Sequence, residues 1–350
     1  MTIIYSLLML LFVILIHEFG HFIVAKLVGV GVVEFSIGMG PELYTTTKNN
    51  TLYSLRLLPA GGYVILEGDD EDSIEEVEDE NGKTKIIFHD SDSPTAFRNV
   101  SIPRRIFVMV AGALMNLFFA LVFFTVVASR IGVPSTTIGG FVEGLPAMNS
   151  GLKEGDKIIK VDDKTINTWG EISSALSVSL DKANIIVIRG DEILTIEVPI
   201  EIEDGRKMVG IMPLYVKDTL SGSLDKGIAT MKLYSTMIFD FLGTAINGKA
   251  SINDLSGPVG VVKEIGKAAK SGIDDLLFFM AYINLNLGIF NLLPVPALDG
   301  SKILFLLIEA IRGKAISRKV ESAIIGVGVF LLLMLMLLVT YKDILSVFKG

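Results

Sequence analysis

Residues Ile3 to Val30 read IIYSLLMLLFVILIHEFGHFIVAKLVGV, an almost entirely apolar stretch with a short group of ionisable residues in its second half. A helix needs about 20 predominantly apolar residues to cross the hydrocarbon core of a bilayer. The stretch therefore predicts a first transmembrane helix over residues 1–30. A secretory signal peptide is the alternative, but no basic residue precedes the apolar run and no small-residue cleavage site lies before His17.

The rest of the chain also has the composition of a membrane protein. Of its 350 residues, 51% are hydrophobic and only 20% are charged. The mean hydropathy is +0.58, which is too apolar for an ordinary soluble protein of this size. Three further uncharged runs predict transmembrane helices over residues 106–130, 276–300 and 322–341. We therefore expect a multi-pass α-helical membrane protein with four transmembrane helices.

Between the first two helices, residues 31–105 predict a membrane-associated β-hairpin region followed by an acidic loop. In TLYSLRLLPAGGYVILEG, Thr51 to Gly68, alternating apolar residues flank the sequence PAGG as strands flank the turn of a hairpin. The loop from Glu67 to Glu80 carries ten acidic residues and no basic one. Such a run is usually solvated, so we assign it no chemistry.

Between the second and third helices, residues 131–215 predict one small soluble α/β domain. The short strands IIKVDD, ANIIVIRG and ILTIEVPIE surround a single helix, TWGEISSALSVSL. Residues 216–275 contain an apolar stretch interrupted by Lys232 and Asp240, each of which is costly in the middle of a bilayer. They therefore predict an amphipathic, interfacial segment and not a fifth span.

Basic residues indicate the orientation of the chain in the membrane. None precedes the first helix, three arginines lie just before the second, and four Lys and Arg residues lie in the predicted loop over residues 301–321. By the positive-inside rule these two connections are cytoplasmic. Both termini, including the tail over residues 342–350, are then extracytoplasmic, as is the small α/β domain.

Inside the first helix, the sequence HEFGH from His17 to His21 matches the pattern H-E-x-x-H. Two histidines four residues apart project from one face of a helix and both reach one zinc ion. Glu18 lies beside them, where a general base takes a proton from water at the metal. Ionisable residues are expensive inside a membrane helix and normally mark a functional site. The alternative is a pair of purely structural histidines.

A catalytic zinc ion takes three protein ligands and keeps one position open. The chain has no cysteine and three histidines, and His89, which lies in a polar loop, is better explained as a surface residue. Asp299, in the sequence NLLPVPALDG, ends the predicted third helix. Three successive crossings put that end on the same side of the membrane as the end of the first helix. We therefore predict Zn²⁺ bound by His17, His21 and Asp299.

Two further features predict contacts with a substrate. Pro294 and Pro296 prevent a regular helix before Asp299, and irregular backbone at membrane depth is tolerated only beside protein or a wet cavity. Asn291 is placed about two turns from Asp299 to bind a substrate backbone or an oxyanion, with an interhelical hydrogen bond as the alternative. The hairpin offers an edge strand to an extended substrate. The candidate contacts on this hairpin are Leu57, Gly61 and Gly62.

HEFGH in the first helix and NLLPVPALDG in the third together resemble the site-2 protease family of intramembrane metalloproteases. The chain is similar to the bacterial RseP-like branch of that family in LRLLPAGGYVILEG, SPTAFRNVSIPRRIFVMVAGALMN and SGPVGVVKEIG, so that the likeness covers nearly the whole chain. FVEGLPAMNSGLKEGDKIIKVDDKTI is similar to a bacterial PDZ domain. The chain has space for one PDZ domain where some members have two, and Ala113 stands where a proline is more usual.

The resemblance implies zinc-ligand roles for His17, His21 and Asp299, the base role for Glu18 and a substrate-positioning role for Asn291. It implies a multi-pass protein of the bacterial plasma membrane that hydrolyses peptide bonds within transmembrane segments. The expected substrates are single-span proteins already shortened outside the membrane, such as anti-sigma factors, or leftover signal peptides. The PDZ-like domain is expected to act as a size filter or to bind a peptide C-terminus.

Two other functions fit parts of the same pattern. A non-catalytic membrane adaptor would recruit partners through its PDZ-like domain, but it has no need of Glu18. A zinc enzyme acting on a lipid or a small molecule would explain the metal motif, but not the PDZ-like domain or the strand-offering hairpin. We expect transmembrane proteins and the lipid bilayer as partners, and no nucleic acid.

Overall fold

A computed structural model describes residues 2–69, 77–78, 84–85, 93–203, 206–249 and 255–349. The α-helices of these residues are α1 (Thr2–Val28), α2 (Ile102–Ile131), α3 (Trp169–Val178), α4 (Leu220–Ile246), α5 (Pro258–Ser271), α6 (Ile273–Leu292), α7 (Asp299–Arg312) and α8 (Arg318–Lys349). Among them, α1, α2, α6 and α8 are long and apolar enough to cross a membrane. The prediction of four helices with the length and composition of membrane spans is confirmed for the described residues.

The strands of the same residues are β1 (Val32–Lys48), β2 (Thr51–Leu66), β3 (Val77–Glu78), β4 (Thr84–Lys85), β5 (Val133–Phe141), β6 (Lys157–Val161), β7 (Lys164–Thr165), β8 (Lys182–Arg189), β9 (Glu192–Pro199), β10 (Glu201–Glu203), β11 (Arg206–Met208) and β12 (Ile211–Val216). Two compact units contain these elements, one of residues 1–124 and 227–350 and the other of residues 125–226.

In the first unit, β1 and β2 pair with a register that shifts repeatedly. Ser36 is paired both with Ser54 and with Tyr63, so that the two halves of β2 flank the same stretch of β1. The chain must therefore reverse between these halves, as the PAGG sequence predicts. It also reverses between β1 and β2, where Asn49 and Asn50 have φ values of 49° and 56°.

The reversal at Asn49 and Asn50 is a correction, because the sequence predicts a turn at PAGG and another around Asn81-Gly82, which lies outside the described residues, but none here. Asparagine tolerates the left-handed conformation that a tight two-residue hairpin turn requires at both positions. Arg56 then joins the resulting strands, since it lies 2.9 Å from the buried Glu34 and 3.2 Å from Glu42. The predicted β-hairpin region is thus a small sheet in which the first part of β1, around Ser36, lies between two segments of β2. The last part of β1 pairs with the first segment of β2 alone.

Two segments predicted as non-helical are helical, which corrects the boundaries given above. The region 301–321 is not a continuous loop, because α7 occupies its first part and begins at Asp299. The region 342–350 is not an irregular tail, because α8 continues to Lys349. In this last part of α8, Asp343 accepts hydrogen bonds of 2.9 Å from the backbone amides of Gly257 and Gly260 at the start of α5. The carboxylate therefore caps the N-terminus of α5.

The first unit is held together by apolar contacts between its helices. One cluster joins α1, the β1–β2 sheet, α2 and α7 through buried side chains such as Ala25, Leu66, Val108 and Leu306. Another joins α2, α4 and α6. The predicted amphipathic segment after the soluble domain is α4 and α5, and neither has the length and hydropathy of a span.

The second unit is a five-strand path with the order β12, β5, β6, β8, β9, and β7 pairs with β6. Its core is apolar and closes beneath α3, with Ile138, Ile158, Ile172 and Ile185 almost completely buried. Helix α3 starts with a capping box in which Thr168 and Glu171 bond each other's backbone amides. The predicted small α/β domain therefore has its own hydrophobic core.

Asp156 is the buried carboxylate of this second unit. It lies 2.7 Å from the Arg189 guanidinium and accepts a hydrogen bond from the Lys153 backbone amide. Burial acts to raise the pKa of Asp156, but the bonds to Arg189 and Lys153 outweigh it and hold that pKa below its usual value. Ionised Asp156 therefore stabilises the fold above about pH 4, and this contribution is lost as the pH falls through the lower native pKa.

We predict that Asp156→Asn lowers the stability of the second unit by about 1.5–3 kcal/mol at pH 7, because the Arg189 guanidinium loses its charged partner. Hydrogen exchange of the β6 and β8 amides in the whole protein measures this change. Asp163→Asn is the control, since Asp163 is fully exposed and its ion pair with Lys160 is 3.8 Å long. Equal protection in the Asp156 variant and the wild type at pH 7 would contradict the prediction. The difference between them should shrink below pH 4.

Candidate metal centre

Helix α1 brings both histidines of HEFGH to one point. His17 and His21 are one turn apart, and both are buried, with 8% and 7% of their surface exposed. Their ring centroids are 4.7 Å apart and the rings are nearly perpendicular. The two Nε2 atoms consequently lie 3.2 Å from each other. This is the arrangement that a spacing of four residues predicts.

Asp299 reaches the same point because the chain leaves the helical path after α6 and starts again as α7. Between the two helices, Ala297 has a φ of +76°, a left-handed conformation that is uncommon for a residue with a side chain. Gly300 permits the close approach of α7, since a Cβ on it would lie 2.0 Å from the carbonyl oxygen of Leu293. The strained loop thus sets where α7 begins and where the Asp299 carboxylate lies.

The three side chains bring one ligand atom each into a compact triangle. Oδ2 of Asp299 lies 3.0 Å from Nε2 of His17 and 3.3 Å from Nε2 of His21. A tetrahedral zinc ion with bonds of about 2.0–2.1 Å separates its ligands by about 3.3 Å. Among the described residues, these three side chains form the group whose ligand atoms are close enough to share a metal ion.

Hydrogen bonding around the rings also fits a zinc ion. Nδ1 of His21 lies 2.8 Å from the carbonyl oxygen of Val108. A carbonyl only accepts, so Nδ1 carries a proton, and the neutral ring has a lone pair on Nε2. That lone pair faces the carboxylate of Asp299, which is also an acceptor. Two facing acceptors repel each other unless a proton or a metal ion lies between them, and Zn²⁺ satisfies both.

One face of α2 forms the wall of this site. Val108, Gly112 and Asn116 are four residues apart and therefore lie above one another on the helix. A Cβ on Gly112 would lie 2.3 Å from Nε2 of His21 and 2.7 Å from Cε1 of His17. Only a glycine leaves room for both imidazoles at this distance from α2.

Asn116 contacts the outer nitrogen of His17. It is completely buried, its side-chain nitrogen lies 3.4 Å from Nδ1 of His17, and its Oδ1 has no hydrogen-bond partner among the described residues. The oxygen and nitrogen of an amide are nearly interchangeable in shape. With the amide turned over, Oδ1 accepts from Nδ1 of His17 and leaves Nε2 free to bind metal.

Gly112 and Asn116 were not predicted as site residues from the sequence. The signal was present in AGALMN, where a glycine and an asparagine stand four residues apart within an apolar helix. A buried asparagine in a membrane helix needs a polar partner. The identity of that partner depends on which face of α2 meets α1, and the sequence does not specify this.

Glu18 is turned toward the sheet. Its carboxylate accepts a hydrogen bond from the backbone amide of Val64 in β2. The coulombic interactions of Glu18 are with His17, His21 and Asp299, so it lies beside the triangle of ligand atoms. The Glu18 carboxylate, which lies beside the three ligand atoms, is therefore bonded to β2, the strand that contains the predicted substrate contacts.

Of the predicted substrate contacts, Asn291 is buried in the last turn of α6, with 7% of its surface exposed. Leu57 is exposed to 54%. Gly61 has a φ of +116°, and a Cβ on it would lie 3.7 Å from Ile14, one turn before His17. A Cβ on Gly62 would lie 2.6 Å from a backbone oxygen of β1. The reversal of β2 at PAGG therefore lies against α1, close to HEFGH.

His89, which the sequence analysis set aside as a metal ligand, lies outside the described residues. The described residues complete a set of three ligands without it. The fold and the geometry of these side chains lead directly to a known family of proteins.

The family model described as Peptidase family M50 matches residues 5–335, which is nearly the whole chain. The chain belongs to peptidase family M50. M50 peptidases are zinc-dependent, and the chain is accordingly a zinc metalloprotease. This confirms the resemblance to site-2 proteases that the two motifs indicate.

Curated M50 relatives match over almost their full length. A Clostridium perfringens protein, provisionally named a zinc metalloprotease, is 39% identical and aligns over 99% of both chains. The zinc metalloprotease RasP of Bacillus licheniformis is 32% identical, over 95% of this chain and 96% of its own. The regulator of sigma-W protease RasP of Bacillus subtilis is also 32% identical, over 95% of both chains.

We predict that Gly112→Ala in this M50 peptidase weakens zinc binding at least tenfold, because the added methyl group displaces the imidazoles from each other. Competition with a chromogenic chelator measures the affinity of the purified protein. Gly326→Ala is the control, since Gly326 is also helical and nothing lies within 4 Å of its Cβ position. Unchanged affinity in the Gly112 variant would show that the rings have room to move.

Proposed function

We propose that this M50 peptidase hydrolyses peptide bonds within transmembrane segments, with His17, His21 and Asp299 as zinc ligands and Glu18 as the general base. The observation that carries the proposal is the triangle of ligand atoms, 3.0–3.3 Å on each side. Two of these atoms belong to α1, a helix apolar enough to span a membrane. A site that activates water for hydrolysis inside the bilayer can act only on a peptide bond that also lies inside the bilayer.

His17, His21 and Asp299 would hold a zinc ion, which when bound would supply a Lewis acid for the scissile carbonyl and for the attacking water. Glu18 takes the proton from the attacking water and delivers it to the leaving amide nitrogen. The bond from the Val64 amide aims the Glu18 carboxylate during this transfer. The Val108 carbonyl and Asn116 hold the outer nitrogens of His21 and His17, so that both rings keep their Nε2 atoms turned inward.

A transmembrane helix must unwind before cleavage, because its carbonyls are occupied in its own hydrogen bonds. We propose that the opened segment adds to the edge of the β1–β2 sheet near Gly61 and Gly62, with Leu57 among its contacts. The position of this reversal against Ile14, next to HEFGH, supports this assignment. Asn291, eight residues before Asp299, is proposed to bind the substrate backbone.

The second unit is proposed to be a PDZ-like domain that acts as a size filter or binds a peptide C-terminus. Its five-strand path and single capped helix support this proposal, as does the likeness of FVEGLPAMNSGLKEGDKIIKVDDKTI to a bacterial PDZ domain. Strand β12 lies at one end of the path, where an edge is open to an added strand.

We further propose that the protein resides in the bacterial plasma membrane with both termini outside the cell. The basic residues before α2 and between α6 and α8 support this orientation. Single-span proteins already shortened outside the membrane, such as anti-sigma factors or leftover signal peptides, are the proposed substrates. The name of the Bacillus subtilis relative, a regulator of sigma-W protease, supports the first class.

The two other functions explain less of the site. A membrane adaptor does not need Glu18 beside two inward-facing imidazoles, and a scaffold would gain nothing from three converging acceptors. An enzyme acting on lipids or small molecules does not need a sheet edge beside its base. Protein cleavage uses all of these features together.

We predict that Glu18→Gln reduces cleavage of a labelled transmembrane peptide by at least 10³-fold while the protein still binds zinc, because the amide cannot accept the proton of water. Cleavage in detergent and zinc content of the same preparation are the two measurements. Asp275→Asn is the control, since Asp275 lies in the first turn of α6 and not at the site. Cleavage by Glu18→Gln at the wild-type rate would refute the protease mechanism.

A further inference from the structure

Helix α7 carries Asp299 as its first residue. The preceding loop is irregular and strained, so a continuous helix from α6 does not hold the Asp299 carboxylate. Its position depends on how α7 itself is anchored. A metal site tolerates errors of only about 0.2 Å in ligand distance. The anchors of α7 therefore matter for metal binding even where they are remote from the metal.

The strongest polar anchor of α7 is at its other end. Arg105 of α2 forms a two-pronged ion pair with Glu309, with N···O distances of 3.0 Å and 2.5 Å. The side chains are 8% and 18% exposed. A guanidinium that meets a carboxylate with two parallel bonds fixes both distance and angle, which a single contact does not.

The helices on both sides of this pair also meet at the metal centre. Glu309 is ten residues after Asp299 in α7, which is about 15 Å along the helix axis. On α2, the residues that contact the imidazoles begin at Val108 and end at Asn116, three and eleven residues after Arg105, which is about 4.5–16.5 Å along the axis. The ion pair therefore joins the far end of α7 to the part of α2 that leads into the wall of the site. Because Glu309 and Asp299 belong to one helix, a shift at the ion pair moves Asp299 relative to the imidazoles.

A second contact acts on the same helix near the site. Lys302, three residues after Asp299, lies 2.7 Å from Asp69, which follows β2. This contact joins α7 to the sheet whose Val64 amide holds Glu18. The Lys302 ammonium is a point charge on a flexible side chain, so its pairing with Asp69 sets no angle between the two groups. The Arg105–Glu309 pair has two bonds and sets both a distance and an angle between α2 and α7.

We propose that Arg105 and Glu309 are positioning residues for the metal site, which together set the distance of Asp299 from His17 and His21. This inference rests on the proposed zinc-ligand role of Asp299. A buried ion pair contributes little net stability compared with apolar packing, but it specifies geometry. A bidentate pair that joins α2 to α7 fits a role in specifying the position of α7.

The test uses the full-length protein in detergent. Glu309→Gln and Arg105→Gln are expected to weaken zinc binding at least tenfold in competition with a chromogenic chelator. In the cobalt-substituted protein, they are expected to change the visible absorption bands, because the carboxylate no longer binds at its original distance. For cleavage of a labelled transmembrane peptide, kcat falls while KM stays within about twofold. The charge-swapped double variant Arg105→Glu/Glu309→Arg is expected to restore the affinity to within about threefold of the wild type.

Arg104→Gln and Arg312→Gln are the matched controls, since both residues are exposed and lie on the same two helices. A lower melting temperature with wild-type zinc affinity and wild-type cobalt absorption in Glu309→Gln would overturn the proposal, because it would make the pair merely stabilising. Failure of the protease mechanism itself gives a different result, in which Glu18→Gln still cleaves the peptide although these variants lose zinc.

Discussion

Three acceptor atoms of the first unit, from His17, His21 and Asp299, lie 3.0–3.3 Å apart beside helices that are apolar enough to span a membrane. Without a proton or a metal ion between them this contact is repulsive, so the surrounding structure must hold the three side chains together. The surrounding helices do this through contacts that restrict the movement of the three side chains. The imidazoles are bonded from behind by α2, the α2 wall is bare backbone at Gly112, and Asp299 starts a helix anchored at its far end.

The same constraint explains why irregular backbone is found next to the site. Lipid satisfies no backbone hydrogen bonds, so non-helical segments must find partners in the protein. The loop between α6 and α7 does so internally, with hydrogen bonds from Val295 to Leu293 and from Leu298 to Val295. Strand β1 does so by having a segment of β2 on either side. Polar backbone can therefore lie beside HEFGH, ready to pair with an opened substrate.

Local periodicity was enough to predict part of this architecture. The spacing of His17 and His21 defines their common face, and counting spans brings Asp299 to the same side of the membrane. Other features depend on packing that no local pattern contains. Whether Asn116 faces His17 depends on how α2 is rotated about its axis against α1. The turn at Asn49 and Asn50 has a weaker sequence signal than the turn at Gly61, because asparagine is less specific for a turn than the glycines of PAGG. Helix α7 was missed because its amphipathic sequence, too short to span a membrane, resembles that of a polar connection.

The proposed ligands lie far apart along the chain, which has a consequence for how the site is made. His17 and Asp299 are separated by roughly 280 residues, and a ribosome adding about 5–20 residues per second needs roughly 15–60 s to cover that distance. During that time the nascent chain holds the two histidines without the carboxylate. The proposed site therefore cannot hydrolyse a peptide bond until α7 has been made.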